Sequence, residues 1–229
     1  LTLSVSLNAP LQWAAAQGGN DHWYQAMLVG PSGINWTDAS TAANNQGGYL
    51  ATIGSAAENA FAYDLVNDTL FWFIDAYGNG LGPWLGGLQP PGSPEPAGNW
   101  QWVSGEPAAY SNWEAGQPDN FQGNEDRIHF FGTGMLQSPQ WNDVGASTLL
   151  RGFVIEYAQL PGPPSLSITR SNEAVIVSWP APAEGWLLHA TTSLLAGGSE
   201  WTEIPPPYEI SGTSLRFTEP ALAGSRFYR

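Results

Sequence analysis

Five carboxylates fall within thirty residues of this chain: Glu114, Asp119, Glu125, Asp126 and Asp143. They stand among turn formers, in Gln117-Pro-Asp-Asn120, Gly123-Asn-Glu-Asp126 and Trp141-Asn-Asp143. Hard cations such as calcium take about 6–8 oxygens from carboxylates, amide and backbone carbonyls and water, carried on flexible loops. Asp, Glu, Asn and Gln on irregular backbone meet that demand. Crowded carboxylates without a cation raise each other's pKa, which is costly. Clustering alone is equally compatible with a solvated acidic surface.

Other chemistries are poorly served. Glycoside hydrolysis needs two carboxylates facing across a bond; a pair among Asp119, Glu125 and Asp143 supplies the groups, but no separate acid of raised pKa stands out. His22, His129 and His189 lie in dissimilar contexts, with no Ser-His-Asp arrangement and no spacing suited to zinc. The absence of cysteine excludes disulfides, thiolate catalysis and Cys-based metal sites. The expectation is a protein that is not an enzyme.

The elements that must hold these groups can be read from pattern. Asn35 precedes Trp36-Thr-Asp-Ala-Ser-Thr-Ala-Ala43, with apolar positions 36, 39 and 43 and a Gly47-Gly48 stop, which predicts a helix. Ser55-Ala-Ala-Glu58 reads as a capping box before a second helix carrying Phe61, Leu65 and Val66. Between them Tyr49–Ile53 predicts a strand. From residue 70 to 157 the chain reads as loops, tryptophans and short strands, so residues 1–160 are expected to be one α+β domain. Three prolines in four residues, in Pro161-Gly-Pro-Pro164, predict a stiff linker at 161–164. β-rich runs at 165–169, 174–179, 185–190, 213–218 and 225–228 predict a small all-β sandwich over 165–229.

In order along the chain stand Gly47-Gly-Tyr-Leu-Ala-Thr-Ile53, Ala57-Glu-Asn-Ala-Phe61, Trp84-Leu-Gly-Gly87, Trp100-Gln-Trp102 with Gly105-Glu-Pro107 and Tyr110-Ser-Asn-Trp113, Gln117-Pro-Asp119, Asn124-Glu-Asp126, Trp141-Asn-Asp143 and Gly152-Phe-Val-Ile-Glu156. In that series residues 1–160 resemble the C-type lectin-like domain family nearly end to end. The tail, with Val177-Ser-Trp-Pro180, resembles fibronectin type III-like modules that close some secreted bacterial proteins, implying a spacer or attachment role and a bacterial, cysteine-free member of the family.

The resemblance implies a calcium site at Gln117, Asp119, Glu125, Asn142 and Asp143. It implies calcium-dependent carbohydrate binding, in which Gln117, Asp119, Glu125 and Asn142 serve both ion and sugar. The Gln-Pro-Asp order resembles the galactose-type arrangement rather than the mannose-type Glu-Pro-Asn, because exchanging amide and carboxylate reverses donor and acceptor directions. Phe121 is the candidate ring for the apolar face of the sugar, with Trp113 better used in the core. Glu58 and Glu156 match a further ion position in some members, and Asp126 with Glu125 is an auxiliary candidate; for Glu58 the capping box competes. The alternative is a calcium-stabilised protein-binding or adhesion module without sugar binding.

This sequence departs from the family in lacking its two disulfides. The alignment sets Ala43 opposite Ile155, an apolar contact in place of a bond, and Arg127 opposite Ala146, where no such substitution is evident. Twelve tryptophans and the ion are expected to compensate. The ordering of Gly132–Pro139, between Glu125 and Asn142, is not legible from pattern.

Composition limits the partners. The 229 residues carry a formal charge of −14, with arginine as the only strong base. Residues 1–160 hold 14 acids and 2 arginines, against 6 and 4 in 161–229, so the acidity belongs to the first domain. Nucleic acid is excluded as a partner, anionic membrane surfaces are disfavoured, and no 18-residue apolar run predicts membrane insertion. The expected partner is a galactose-like glycan or glycoconjugate. With no basic, apolar leader at Leu1, the chain reads as a trimmed, secreted or cell-surface product.

Overall fold

The computed structural model describes residues 5–6, 9–160, 162, 165–171, 173–180, 186–194, 200–211, 214–221 and 224–229; the linker expected at 161–164 falls largely outside them. The chain divides into two compact units, Leu1–Leu160 and Pro161–Arg229.

The first unit contains β1 (Val5–Ser6), β2 (Leu11–Gln12), β3 (Trp23–Leu28), α1 (Trp36–Asn45), β4 (Tyr49–Leu50) and α2 (Ala56–Asp64). These are followed by β5 (Phe73–Ile74), β6 (Gly80–Leu88), β7 (Gln101–Trp102), β8 (Arg127–Gly132), β9 (Trp141–Val144) and β10 (Gly152–Tyr157). All ten strands join one sheet with the order β1-β3-β10-β6-β8-β9, while β2, β4, β5 and β7 pair at its sides. Every pairing is antiparallel except β10 with β6.

Both helices begin where the sequence predicts. The Asn35 side chain accepts the Asp38 N–H at 2.9 Å, and Trp36, Ala39 and Ala43 form the buried face of α1. At α2 the Ser55 hydroxyl accepts the Glu58 N–H at 3.1 Å. The buried face of α2 is Glu58, Asn59 and Ala62, however, with Phe61 and Leu65 only half-buried. Polar partners across the core explain that rotation: Asn59 accepts the Trp141 indole N–H at 2.7 Å, and Glu58 enters the hydrogen-bond cage described below.

The strand expected over Tyr49–Ile53 pairs only at Tyr49 and Leu50. Thr52 N–H turns from the ladder to the Glu156 carboxylate, at 2.8 Å. Pro83, in β6, sits within a register shift between Leu81 and Trp84, where a missing N–H is tolerated. The glycines of Trp84-Leu-Gly-Gly87 answer close approach: a Cβ at Gly86 collides with the Leu50 carbonyl, and one at Gly87 with Ile128.

The sheet is buried on both faces. Phe153, Ile155 and Tyr157 of β10 pack with Trp36, Ala39, Ala43 and Trp84, whereas Val154 packs with Trp102, Ile128, Phe130 and Trp141. Ala43 and Ile155 are fully buried in the same cluster. The Ala146 carbonyl accepts the Trp36 N–H at 3.1 Å, and the Arg127 guanidinium lies 4.5 Å over the Trp36 ring. A cation–π contact thus ties Arg127 to the helix that Ala146 holds at its start.

In the second unit the described strands are β11 (Ser167–Arg170), β12 (Ala174–Pro180), β13 (Leu188–Thr191), β14 (Thr202–Ile204), β15 (Glu209–Ser211), β16 (Ser214–Pro220) and β17 (Phe227–Tyr228). They form sheets β11-β12-β16-β15 and β14-β13-β17, with Val177, Trp179 and Leu188 buried in one cluster. β14 and β15 escape the sequence reading because they are three-residue strands at the edges of the sheets, rich in polar residues and separated by three prolines. Among the described residues no helix is long and apolar enough to cross a membrane.

Candidate functional site

The site is built outward from Trp141. That indole is 1% exposed and is ringed edge-on by Trp102, Tyr110 and Trp113 at 5.6, 5.6 and 5.8 Å. Its backbone carbonyl accepts the Glu114 N–H at 2.9 Å, and its own N–H reaches Asn112 O at 2.9 Å. Trp113 is half-buried and packs against the core cluster. Trp141 therefore anchors the strand that carries Asn142 and Asp143 and the loop that leads to Gln117.

Strand alternation then separates the two neighbours of Trp141. Asp143 is fully buried, while Asn142 lies on the other face opposite His129 of β8. The Asp143 carboxylate accepts the N–H groups of Asp119 and Asn120, at 3.1 and 2.9 Å. Glu125 accepts the Phe121 N–H at 2.8 Å, and the Asn120 side chain accepts the Glu125 N–H at 3.0 Å. Asn120 and Gln122 take left-handed backbone at φ 48° and 60°, so the segment doubles back on itself. These turns bring Asp119, Glu125 and Asp143 together, with one oxygen from each within 4.8 Å of the others.

Gln117 and Asn142 line the same cavity as Asp119, Glu125 and Phe121. The Gln117 Oε1 and Asn142 Oδ1 are buried and receive no hydrogen bond from the protein. The Asn142 amide nitrogen lies 3.4 Å from His129 Nε2. His129 is fully buried, and burial pushes its pKa down to about 4, which keeps the ring neutral. The electrostatics follow from the crowding. Burial, with help from Asp143 and Asp119 and against the Phe121 N–H, pushes Glu125 up to about 7. Burial likewise raises Asp143, opposed by the two backbone N–H groups it accepts.

The other predicted residues lie outside this cluster. Asp126 is turned to Arg127, at 2.9 Å. Glu58 and Glu156 do come together, but every oxygen of the pair is already met by a donor. Glu58 takes Asn20 at 2.9 Å, the Gly54 N–H at 2.6 Å and the Tyr24 hydroxyl. Glu156 takes the Thr52 N–H, has Tyr24 at 3.2 Å and has His22 Nδ1 at 2.6 Å. Burial raises both the Glu156 carboxyl and the Tyr24 hydroxyl, and the hydroxyl stays protonated as a donor.

Sequence reasoning missed part of the cavity wall, made by Asp75, Tyr77 and Asn79 in the turn between β5 and β6. The signal was present as Asp75-Ala-Tyr-Gly78, an Asp at the first position of a tight turn and a Gly at the fourth. The segment Gly132–Pro139 packs against that turn, with the Met135 N–H on Gly78 O at 2.8 Å. None of its residues lines the cavity.

The family model of the lectin C-type domain matches residues 32–154. A perlucin-like protein from Mytilus galloprovincialis is 32% identical over 151 residues, covering 66% of this chain and 84% of that protein. The chain belongs to the C-type lectin domain family. Among solved structures it is similar to the cow C-type carbohydrate-recognition domain of CD23, determined in the presence of GlcNAc2Man3 oligosaccharide. That match has 21% identity, covers 70% of this chain and 99% of that one, and gives a TM-score of 0.46. It is also similar to the C-type lectin CEL-I from Cucumaria echinata, with 22% identity, 65% and 96% coverage and a TM-score of 0.45.

Proposed function

We propose that the first unit is a non-catalytic, calcium-dependent carbohydrate-binding domain whose ion is held by Gln117, Asp119, Glu125, Asn142 and Asp143. One observation carries this reading: three mutually repelling carboxylates share a site with two buried amide oxygens that lack any donor. An anionic group or a lone proton does not answer that donor set, whereas a hard divalent cation does. Calcium held by these residues would offset most of the charge of the three carboxylates and supply a Lewis-acidic centre for neighbouring sugar hydroxyls. Around it the chain's own groups sort the sugar: the Gln117 and Asn142 amide nitrogens donate, and the Asp119 and Glu125 carboxylates accept. Gln-Pro-Asp in this frame favours a galactose-type pair of hydroxyls. Phe121 lines the cavity and is 55% exposed, available to the apolar face of that sugar.

The hydrogen-bond cage around Glu58 and Glu156 supports one ion per chain rather than two. With its small apolar core, the second unit is read as a fibronectin type III-like sandwich serving as spacer or attachment module, and the protein as secreted or displayed at a cell surface. The test is a glycan panel titrated against the purified protein in calcium and in chelator. Binding confined to the calcium arm, and strongest for terminal galactose, is expected. Binding that survives chelation removes the proposal. A calcium-induced rise in melting temperature with no glycan bound favours instead a calcium-stabilised adhesion module.

A further inference from the structure

The cavity at the carboxylates is larger than an ion and its ligands require. Its volume is about 350 Å³, and its lining includes Asp75, Tyr77 and Asn79 of the β5–β6 turn. That turn is pinned from both sides. The Asp75 carboxylate accepts the N–H groups of Tyr77 and Asn79, each at 2.8 Å, and Asp75 N–H reaches Asn79 O at 2.9 Å. Gly78 takes φ +83°, a conformation open to a residue without Cβ, and its carbonyl is held by the Met135 N–H. On this rigid support Tyr77 is 84% exposed although it lines the cavity. A large aromatic ring left bare on a fixed turn contributes little to folding and is open to a ligand in the cavity it lines.

We propose that Tyr77 and its turn form a second sugar subsite, so that the ligand is an oligosaccharide rather than a single terminal sugar. The inference rests on the reading of the carboxylate cluster as the ion and primary sugar site. From there the cavity runs to Tyr77, whose ring meets the apolar C–H face of the next residue of the glycan while its hydroxyl stays in water. Because the turn is already ordered, little conformational freedom is lost when it is used. An aromatic contact of this kind is worth about three- to tenfold in affinity.

The experiment compares, in saturating calcium, a methyl glycoside with a trisaccharide ending in the same sugar. The sugar is the best binder of the panel, with galactose expected. Wild-type protein binds the trisaccharide about three- to tenfold more tightly. Tyr77→Ala, at an exposed position, leaves methyl glycoside binding unchanged and brings the trisaccharide down to its level, while Tyr77→Phe keeps the preference. Equal binding of both probes by wild type, or a preference that survives in Tyr77→Ala, overturns the subsite and leaves the primary site standing. Failure of the wild-type protein to bind either probe in calcium overturns both.

Discussion

Asp143→Asn isolates the charge that the proposed ion needs. Asp143 is fully buried, its oxygens accept two backbone N–H groups, and it shares its site with Asp119 and Glu125. Asparagine keeps the volume and removes one of three like charges. Its NH2 group, however, replaces one of the two acceptor oxygens and leaves one backbone N–H unmet at a cost of about 1–3 kcal/mol, so the chelated variant melts at or below the chelated wild type. Calcium at a hundred times its dissociation constant stabilises the wild-type domain by about 2.7 kcal/mol. For a unit of 160 residues that is a rise of about 5–11 °C. If losing the carboxylate weakens binding about 100-fold, the same calcium concentration equals the new dissociation constant, and the gain falls to about 0.4 kcal/mol, near 1 °C. Asp143→Ala also loses the increment but leaves the Asp119 and Asn120 N–H groups unmet, at about 1–3 kcal/mol each. Differential scanning fluorimetry in calcium and in chelator reads all three proteins. A wild-type calcium increment in Asp143→Asn refutes the placement of the ion.

Other expectations follow from the same geometry. Glu125 has a folded-state carboxyl raised to about 7 from 4.5, so the metal-free domain gains from its bound proton at low pH and loses that gain as pH rises through 7. Calcium affinity therefore falls by up to about tenfold per unit below pH 7, measurable by calorimetry from pH 8 to 5.5; a flat profile contradicts it. The same titration returns one ion per chain, and a second equivalent lost in Glu58→Gln would show that the cage around Glu58 and Glu156 yields to metal. Gln117→Glu with Asp119→Asn reverses donor and acceptor at the sugar and shifts preference from galactose toward mannose by about tenfold or more, whereas an unchanged panel disproves that assignment. Arg127→Ala removes the guanidinium from the Trp36 ring and lowers stability by about 0.5–2 kcal/mol, read by urea denaturation.

Local rules reached some parts of this molecule and not others. Helix α1 was legible because its Asn35 cap, apolar period and glycine stop all act within one stretch of chain. The start of α2 was legible for the same reason, but its buried face was not. Glu58 and Asn59 turn inward for partners at Tyr24, Asn20 and Trp141, which lie far away in sequence. His22 joins that network through Glu156, 134 residues on, and no spacing rule points to it. The carboxylates that gather were all named from the sequence, since turn formers and family order bracket Gln117 to Asp143. Their neighbourhood was not: the Asp75–Asn79 turn meets the cavity only through pairing of β5, β6 and β8.

The central claim is that one ion serves both fold and sugar, and linkage tests it most directly. If hydroxyls of the sugar complete the coordination of the cation, each ligand must raise the affinity of the other by the same factor. Calcium is therefore titrated calorimetrically into the protein with and without saturating galactose. The account predicts tighter calcium binding in the presence of the sugar, matched by the loss of sugar binding in chelator. A calcium affinity indifferent to sugar that is demonstrably bound would contradict it.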